Sequence, residues 1–119
     1  MQSRTKRYGL VLLQMFSFAS ETYLDSWSFS SSLDSSSADL SWGDFPPDEH
    51  VHRLYVRFTQ DNVSIMVPVS EHEKSYRLEN MLLPNRDYVL NVVAFTEDKM
   101  YFSQSDSVTT PGGGKEIEL

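Results

Sequence analysis

The chain has 119 residues, 39% of them hydrophobic and 13% aromatic, so it can form one core and is too short for two domains. Its formal net charge is −7, and setting aside the three basic residues near its start leaves seven basic against 17 acidic residues. Nucleic acid and anionic membrane surfaces repel such an acidic body, so neither is expected as its main partner. The absence of cysteine excludes a disulfide framework and thiolate metal sites.

The first 21 residues have the composition of a leader segment. Three basic residues form its start, residues 8–18 are mostly apolar, and Ser17 and Ala19 place small side chains where a signal peptidase would read them. This pattern predicts a secretory signal peptide, and an extra strand or a disordered, alternatively spliced end is the alternative. The apolar run is too short to span a bilayer and no second run follows, so no integral membrane span is expected in this chain.

Two short strands are predicted around a serine-rich stretch, residues 26–41. Trp27 and Phe29 alternate with serines before the turn, and Leu40 and Trp42 alternate with polar residues after it. Alternation with a period of two is the pattern of a strand that buries one face. A low-complexity linker is the other interpretation of so many serines.

A longer strand is predicted from Val51 to Thr59, and it ends in a hairpin. Its two faces differ in composition, with Leu54, Val56 and Phe58 on one and Arg53, Tyr55 and Arg57 on the other. A turn at Gln60-Asp61-Asn62 leads into a short strand, residues 64–69, in which Pro68 is typical of a sheet edge. A further short strand is expected around Tyr76.

The most informative stretch runs from Leu82 to Ala94. Pro84 restricts the residue before it to an extended conformation, so the chain turns there and cannot continue a helix. One face of the strand that follows carries Tyr88, Leu90, Val92 and Ala94. A tyrosine just after such a turn suggests a tyrosine corner, in which the ring packs inside and the hydroxyl bonds to the turn backbone.

Two anchors give the chain a resemblance to the fibronectin type III family. Leu40-Ser41-Trp42 matches the Leu-x-Trp of that family's second strand, and Leu82-x-Pro84 followed by Tyr88 matches its tyrosine corner. The closing segment, residues 105–111, also resembles the end of such domains. The resemblance implies an all-β fold, a seven-stranded antiparallel β-sandwich that lacks a disulfide.

The resemblance also divides the chain into a leader (residues 1–21), a fibronectin type III domain (22–111) and a flexible tail (112–119). It places these residues in the structural core: Trp42, Leu54, Val56, Phe58, Leu82, Tyr88, Leu90 and Val92. Domains of this family are often units of longer chains, so this one is expected to be part of, or derived from, a multidomain protein.

The sequence contains no catalytic constellation. The many serines lack a Gly-x-Ser-x-Gly motif, and the glycine cluster at residues 112–114 lacks the spacing of a phosphate-binding loop. His50 and His52 would share one face of a strand, but a metal ion needs a third ligand, and an exposed position explains both histidines. The sequence therefore predicts no enzyme activity, no catalytic or metal-binding residue and no cofactor.

One modification motif is present, the N-glycosylation sequon Asn62-Val63-Ser64. It falls at the predicted hairpin tip, where a glycan would be tolerated. Together with the leader it favours a secreted protein or the extracellular side of the cell surface, and a cytoplasmic location is the alternative. The Arg-Gly-Asp sequence, which some members of the family use to bind integrins, does not occur in this chain.

The second face of the strand after the tyrosine corner is unusually apolar. Val93 and Phe95 point away from its core face, and Arg53, Tyr55 and Arg57 would lie beside them on the neighbouring strand. Apolar patches larger than scattered single residues usually mark a contact, and Tyr and Arg are enriched at interface hot spots. These five residues therefore predict a protein-binding surface, and cover by the leader, the tail or a neighbouring domain is the alternative.

The predicted function is a protein-interaction, adhesion or spacer module of an extracellular or cell-surface protein. An intracellular scaffold or cytoskeletal interaction domain is the alternative, which the absence of cysteine also permits. Neither prediction identifies the protein partner.

Overall fold

The computed structural model describes residues 20–112, so most of the predicted leader and of the tail lies outside the described part of the chain. The described residues form strands and no helix, and therefore contain no helix that could cross a membrane. The strands are β1 (Ser20–Tyr23), β2 (Phe29–Leu33), β3 (Ala38–Trp42), β4 (Arg53–Gln60), β5 (Val63–Val69), β6 (Ser75–Leu78), β7 (Asp87–Phe95), β8 (Lys99–Phe102) and β9 (Asp106–Thr109).

The strands form two sheets. The larger has the order β1-β8-β7-β4-β5, with β9 also paired to β7, and the smaller has the order β2-β3-β6. Buried side chains from both sheets form one core cluster, so the sheets are the two layers of a sandwich. This confirms the predicted all-β sandwich without a disulfide.

The strand count differs from the predicted seven. The sequence predicts a single strand after β7, whereas the structure has two, β8 and β9, which pair with opposite ends of β7. Between β8 and β9, the Ser103 amide donates to the Val92 carbonyl at 3.0 Å, whereas the Val92 amide donates to the Ser103 hydroxyl at 2.9 Å. The additional strand β1 is also not antiparallel. It pairs in parallel with β8 and begins at Ser20, two residues before the predicted domain boundary.

Both tryptophans lie in the core. Trp27 is the largest of the fully buried side chains, and its ring N–H donates to the Gly43 carbonyl at 3.0 Å. Trp42 closes β3, and its ring N–H donates to the Glu73 carbonyl at 3.1 Å. The rings thus bury their apolar bodies while each indole donor is satisfied. All the residues that the sequence places in the core are buried there: Trp42, Leu54, Val56, Phe58, Leu82, Tyr88, Leu90 and Val92.

Tyr88 forms the tyrosine corner that the sequence suggests. Its ring is buried and packs edge-on against Phe58, with the ring centroids 6.2 Å apart. Its hydroxyl accepts a hydrogen bond from the Leu83 amide at 2.8 Å. The phenol therefore ties the turn before β7 to the core, as such corners do in immunoglobulin-like sandwiches.

The β4–β5 hairpin has a two-residue loop, Asp61 and Asn62. Both residues have positive φ angles, 50° and 68°. Two successive positive φ angles are typical of a type I′ turn, whose twist matches that of the flanking strands, and Asp and Asn tolerate them better than other non-glycine residues. The hairpin places Asn62 at an exposed tip of the larger sheet.

Candidate protein-binding surface

The five residues predicted to bind a partner lie together on one surface of the larger sheet. Cross-strand pairing sets Arg53 opposite Phe95 and Tyr55 opposite Val93, with Arg57 two residues further along β4. Neighbouring residues in a strand point to opposite faces, so these side chains point away from the core residues of the same two strands. We call this surface of the larger sheet, turned away from the sandwich core, the outer face.

These residues are more buried than the residues of an open apolar patch would be. Val93 is completely buried, Tyr55, Arg57 and Phe95 are half-buried, and Arg53 is exposed. Val93 lies between Tyr55 and Phe102 in the register of the sheet, and it forms a second small cluster with Phe102 and Met100. The prediction of an exposed Val93 is therefore wrong, because β8 adds large apolar side chains to this face.

Phe102 of β8 is the centre of the outer face. The ring of Tyr23 stacks on it with centroids 4.5 Å apart and an interplanar angle of 25°. The guanidinium carbon of Arg57 lies 4.6 Å from the centroid of the same ring, a cation–π distance. Beside this group, Tyr55 and Phe95 meet edge-on at 5.7 Å. Aromatic rings and an arginine thus form one continuous surface across four strands.

Asn91 is the functional candidate that the sequence analysis missed. Its side chain is 1% exposed, and Oδ1 accepts a hydrogen bond from Nε of Arg57 at 3.1 Å. Its Nδ2, also buried, has no hydrogen-bond acceptor among residues 20–112. The signal was present in the sequence, because Asn91 is the one polar residue in the otherwise apolar run from Tyr88 to Phe95.

The charge on Arg57 is held in a partly apolar setting. Burial lowers the pKa of its guanidinium, and the nearby Tyr23 and Glu21 oppose that effect. The ion pairs of residues 20–112 use Lys74, Arg77 and Lys99 as cations, and none includes Arg57. The outer face therefore presents a cation that has Glu21 nearby but forms no direct ion pair in the described part of the chain.

A second polar cluster lies at the opposite surface of β8. The hydroxyl of Tyr101 donates to the carboxylate of Glu49, and Nζ of Lys99 lies 3.7 Å from the same carboxylate. The hydrogen bond from Tyr101 lowers the pKa of Glu49 and raises that of Tyr101. A carboxylate stabilised in its ionised form is a weak proton acceptor, so this cluster fits a structural role better than acid–base catalysis.

The predicted glycan acceptor and the two histidines, which the sequence does not predict to bind a metal ion, are all exposed. Asn62 is exposed at the hairpin tip, as a glycan acceptor needs. His50 and His52 are exposed and meet edge-on, with ring centroids 4.9 Å apart. Within residues 20–112, no group of three His, Cys, Asp or Glu side chains is placed to hold a metal ion.

Solved structures with the same architecture establish the fold. The FN1–FN3 domains of chicken CNTN1 match with a TM-score of 0.61 and 27% identity, over 71% of this chain and 29% of that one. An FN3 domain of human collagen XX matches with a TM-score of 0.59 and 24% identity, over 75% of this chain and 91% of that one. The domain has the fibronectin type III fold.

An fn3 domain of human contactin 1 is a further fibronectin type III match, with a TM-score of 0.58 and 24% identity, over 72% of this chain and 74% of that one. This chain spans less than a third of the chicken CNTN1 fragment, which contains several such domains. No family model and no curated protein sequence matches the chain. Fibronectin type III domains occur within multidomain proteins, and they are generally not catalytic.

Proposed function

We propose that this fibronectin type III domain is a non-enzymatic protein-interaction module of an extracellular or cell-surface protein, and that it binds its partner through the outer face. The observation that carries the proposal is the surface built from Tyr23, Tyr55, Arg57, Phe95 and Phe102. Tyrosine, phenylalanine and arginine are enriched at protein interfaces. The two-layer sandwich fixes the positions of these side chains before binding, so little conformational entropy is lost when a partner binds.

Affinity capture of the partner, with the unchanged chain and a variant chain as baits, tests the binding face. A chain with Tyr55→Ser and Phe95→Ser should lose the partner captured from conditioned medium by the unchanged chain. Both side chains are half-buried at the rim, so the variant should still fold with a modest loss of stability.

The matched control carries Met81→Ser and Leu83→Ser, which remove two exposed apolar side chains (46% and 53%) from a loop away from the outer face. The control should retain the partner. If the outer-face variant captured it equally well, the partner would bind elsewhere and the proposal would be wrong.

An extracellular location is the second part of the proposal. It is supported by the leader pattern and by the sequon at an exposed, two-residue turn. Expression in secreting cells should yield a chain cleaved near Ala19 and carrying a glycan on Asn62. Asn62→Gln should remove the glycan and restore the mass of the bare chain. An intact, unglycosylated intracellular chain would instead favour the alternative, a scaffold or cytoskeletal interaction domain.

A further inference from the structure

We propose that Asn91 and Arg57 form a carboxylate-binding subsite at the centre of the outer face, and that it receives an aspartate or glutamate side chain of the partner protein. The inference rests on the proposed function, because it names the chemical group that the protein-binding face recognises.

The first observation is the unsatisfied amide of Asn91. Its Nδ2 carries two N–H donors, is buried, and has no acceptor within the described part of the chain. Buried polar groups are nearly always hydrogen-bonded in proteins, so an orphaned donor needs a cause such as a missing ligand. The Oδ1 atom already accepts from Arg57, which leaves Nδ2 as the part of the amide available to a ligand.

The second observation is the charge beside it. Arg57 is half-buried against the Phe102 ring and takes part in no ion pair formed by residues 20–112. The Glu21 carboxylate lies near enough to favour the charged form of Arg57, but it forms no direct ion pair with the guanidinium. A partner carboxylate would supply the direct ion pair that Arg57 lacks among the described residues, and with it a charge-assisted hydrogen bond.

The two groups complement a carboxylate better than any other common side chain. The bond between Arg57 Nε and Asn91 Oδ1 holds them side by side, and both then offer only N–H donors. A carboxylate has two acceptor oxygens and a negative charge, so it can satisfy the amide and the guanidinium together. A neutral amide or hydroxyl would leave Arg57 without a direct ion pair.

The surroundings favour a protein segment as the source of that carboxylate. Tyr55 and Phe95 form an apolar rim beside Arg57, which suits apolar residues on either side of an acidic one. Access requires a side chain to move, because Asn91 is buried. Tyr23 is the suitable one, since it interacts with the Arg57 guanidinium, is 65% exposed and lies on a four-residue edge strand.

Amide NMR of the full chain tests the subsite with two capped tripeptides, Ac-Val-Glu-Val-NH₂ and Ac-Val-Gln-Val-NH₂. The glutamate peptide should shift the side-chain NH₂ signals of Asn91 and the Nε–H signal of Arg57 in a saturable way, with a dissociation constant in the millimolar range, on the order of 1 mM. The glutamine peptide should bind about tenfold more weakly. Sodium acetate separates a peptide site from a site for any small carboxylate, and it should also bind more weakly than the glutamate peptide.

Two variants link the shifts to the named groups. Asn91→Asp keeps the side-chain shape but replaces the N–H donors with an acceptor and a negative charge, so it should abolish binding of the glutamate peptide. Arg57→Gln should also abolish it. Arg86→Gln, which removes an exposed arginine from the turn before β7, is the matched control for net charge and should bind as the unchanged chain does.

Any one of four results would overturn the subsite. They are equal binding of the two tripeptides, acetate binding as tight as that of the glutamate peptide, retained binding in Asn91→Asp, and no saturable shift at Asn91. The bait comparison separates this failure from failure of the proposed function. If Tyr55→Ser with Phe95→Ser still abolishes partner capture, the outer face remains the binding surface even without a carboxylate subsite.

Discussion

Two buried polar side chains of β7, three residues apart, differ in whether all their polar atoms are hydrogen-bonded. Tyr88 faces the core, and its hydroxyl accepts the amide hydrogen of Leu83. Asn91 faces outward; its Oδ1 accepts a hydrogen bond, and its Nδ2 has no acceptor among the described residues. A buried polar group that is hydrogen-bonded stabilises a fold. A buried donor without an acceptor destabilises the fold and is retained where it serves another function. The contrast fits a folding role for Tyr88 and the recognition role proposed for Asn91.

Removing the Tyr88 hydroxyl should destabilise the domain. In Tyr88→Phe the ring still fills the core, but the partly buried Leu83 amide loses its acceptor, which costs about 1–3 kcal/mol of unfolding free energy. Urea unfolding of the full chain measures the loss. Tyr76→Phe is the control, since the Tyr76 hydroxyl has no hydrogen bond to any described residue, and it should change stability much less. Equal losses in both variants would show that the corner hydrogen bond contributes nothing specific.

At the scale of single elements, β7 differs from an ordinary surface strand. From Asn91 to Ala94 every side chain is buried, on both faces of the sheet. Strands that are buried on both faces have a near-continuous apolar sequence, and this stretch has one apart from Asn91. That continuity was the available signal that Val93 is not exposed.

Val93 should therefore behave as a core residue. Val93→Ala leaves a void between Tyr55 and Phe102 and should lower the unfolding free energy by about 2 kcal/mol. Val89→Ala, on the same face of β7 but 39% exposed, is the control and should lower it by less than about 1 kcal/mol. The measurement is again equilibrium unfolding in urea, and a neutral Val93→Ala would restore the prediction of an open patch.

The turn between β2 and β3 gives the domain a dependence on pH. Oδ1 of Asp34 accepts the amide hydrogens of Ser36 (3.1 Å) and Ser37 (2.7 Å), and these bonds, with a smaller contribution from Arg77, lower the pKa of that carboxyl. Because the folded pKa lies below the unfolded one, the unfolded chain binds the proton first as the pH falls. The stabilisation is therefore complete above the unfolded pKa and is lost as the pH falls through the folded pKa.

Asp34→Asn should reduce this acid sensitivity. The asparagine oxygen can still accept the two amide hydrogens but cannot titrate, so the fall in stability between neutral pH and about pH 2 should be smaller than in the unchanged chain. Asp48→Asn, at an exposed aspartate that accepts no hydrogen bond from the described residues, serves as the control. Urea unfolding curves at several pH values provide the measurement. Equal acid sensitivity of the unchanged chain and Asp34→Asn would show that this turn does not cause the loss of stability at low pH.

The local sequence pattern predicted the strands that bury one face. It did not predict which strands pair when they are far apart in the sequence. The period-two residues of β3, β4 and β7, the Asp61–Asn62 hairpin and the tyrosine corner follow from neighbours in the chain. The position of β1 does not, because Ser20–Tyr23 has no alternating pattern and pairs with residues 99–102. The subsite was missed for the same reason, since Arg57, Asn91 and Phe102 meet only across three paired strands.

At the scale of the whole molecule, β1 extends the larger sheet beyond the two-layer core. It pairs only with β8 among the described strands, and its main side-chain contact is the Tyr23 ring on Phe102. It therefore covers one side of the outer face while adding nothing to the main core cluster. A cleavage near Ala19 would leave this strand intact at the start of the chain, whereas a cut a few residues later would remove it.

Removing β1 should weaken the fold moderately and change the outer face strongly. A chain that begins at Leu24 loses the ring that covers Phe102, which should cost about 1–2 kcal/mol of unfolding free energy compared with a chain that begins at Ser20. The core of the smaller sheet should be unaffected, so amide signals of β3 and β6 should keep their positions while those of β8 shift. Equal stability of the two chains would mean that Tyr23 contributes no cover. Complete unfolding of the shorter chain would mean that β1 belongs to the folding core rather than to the edge of the outer face.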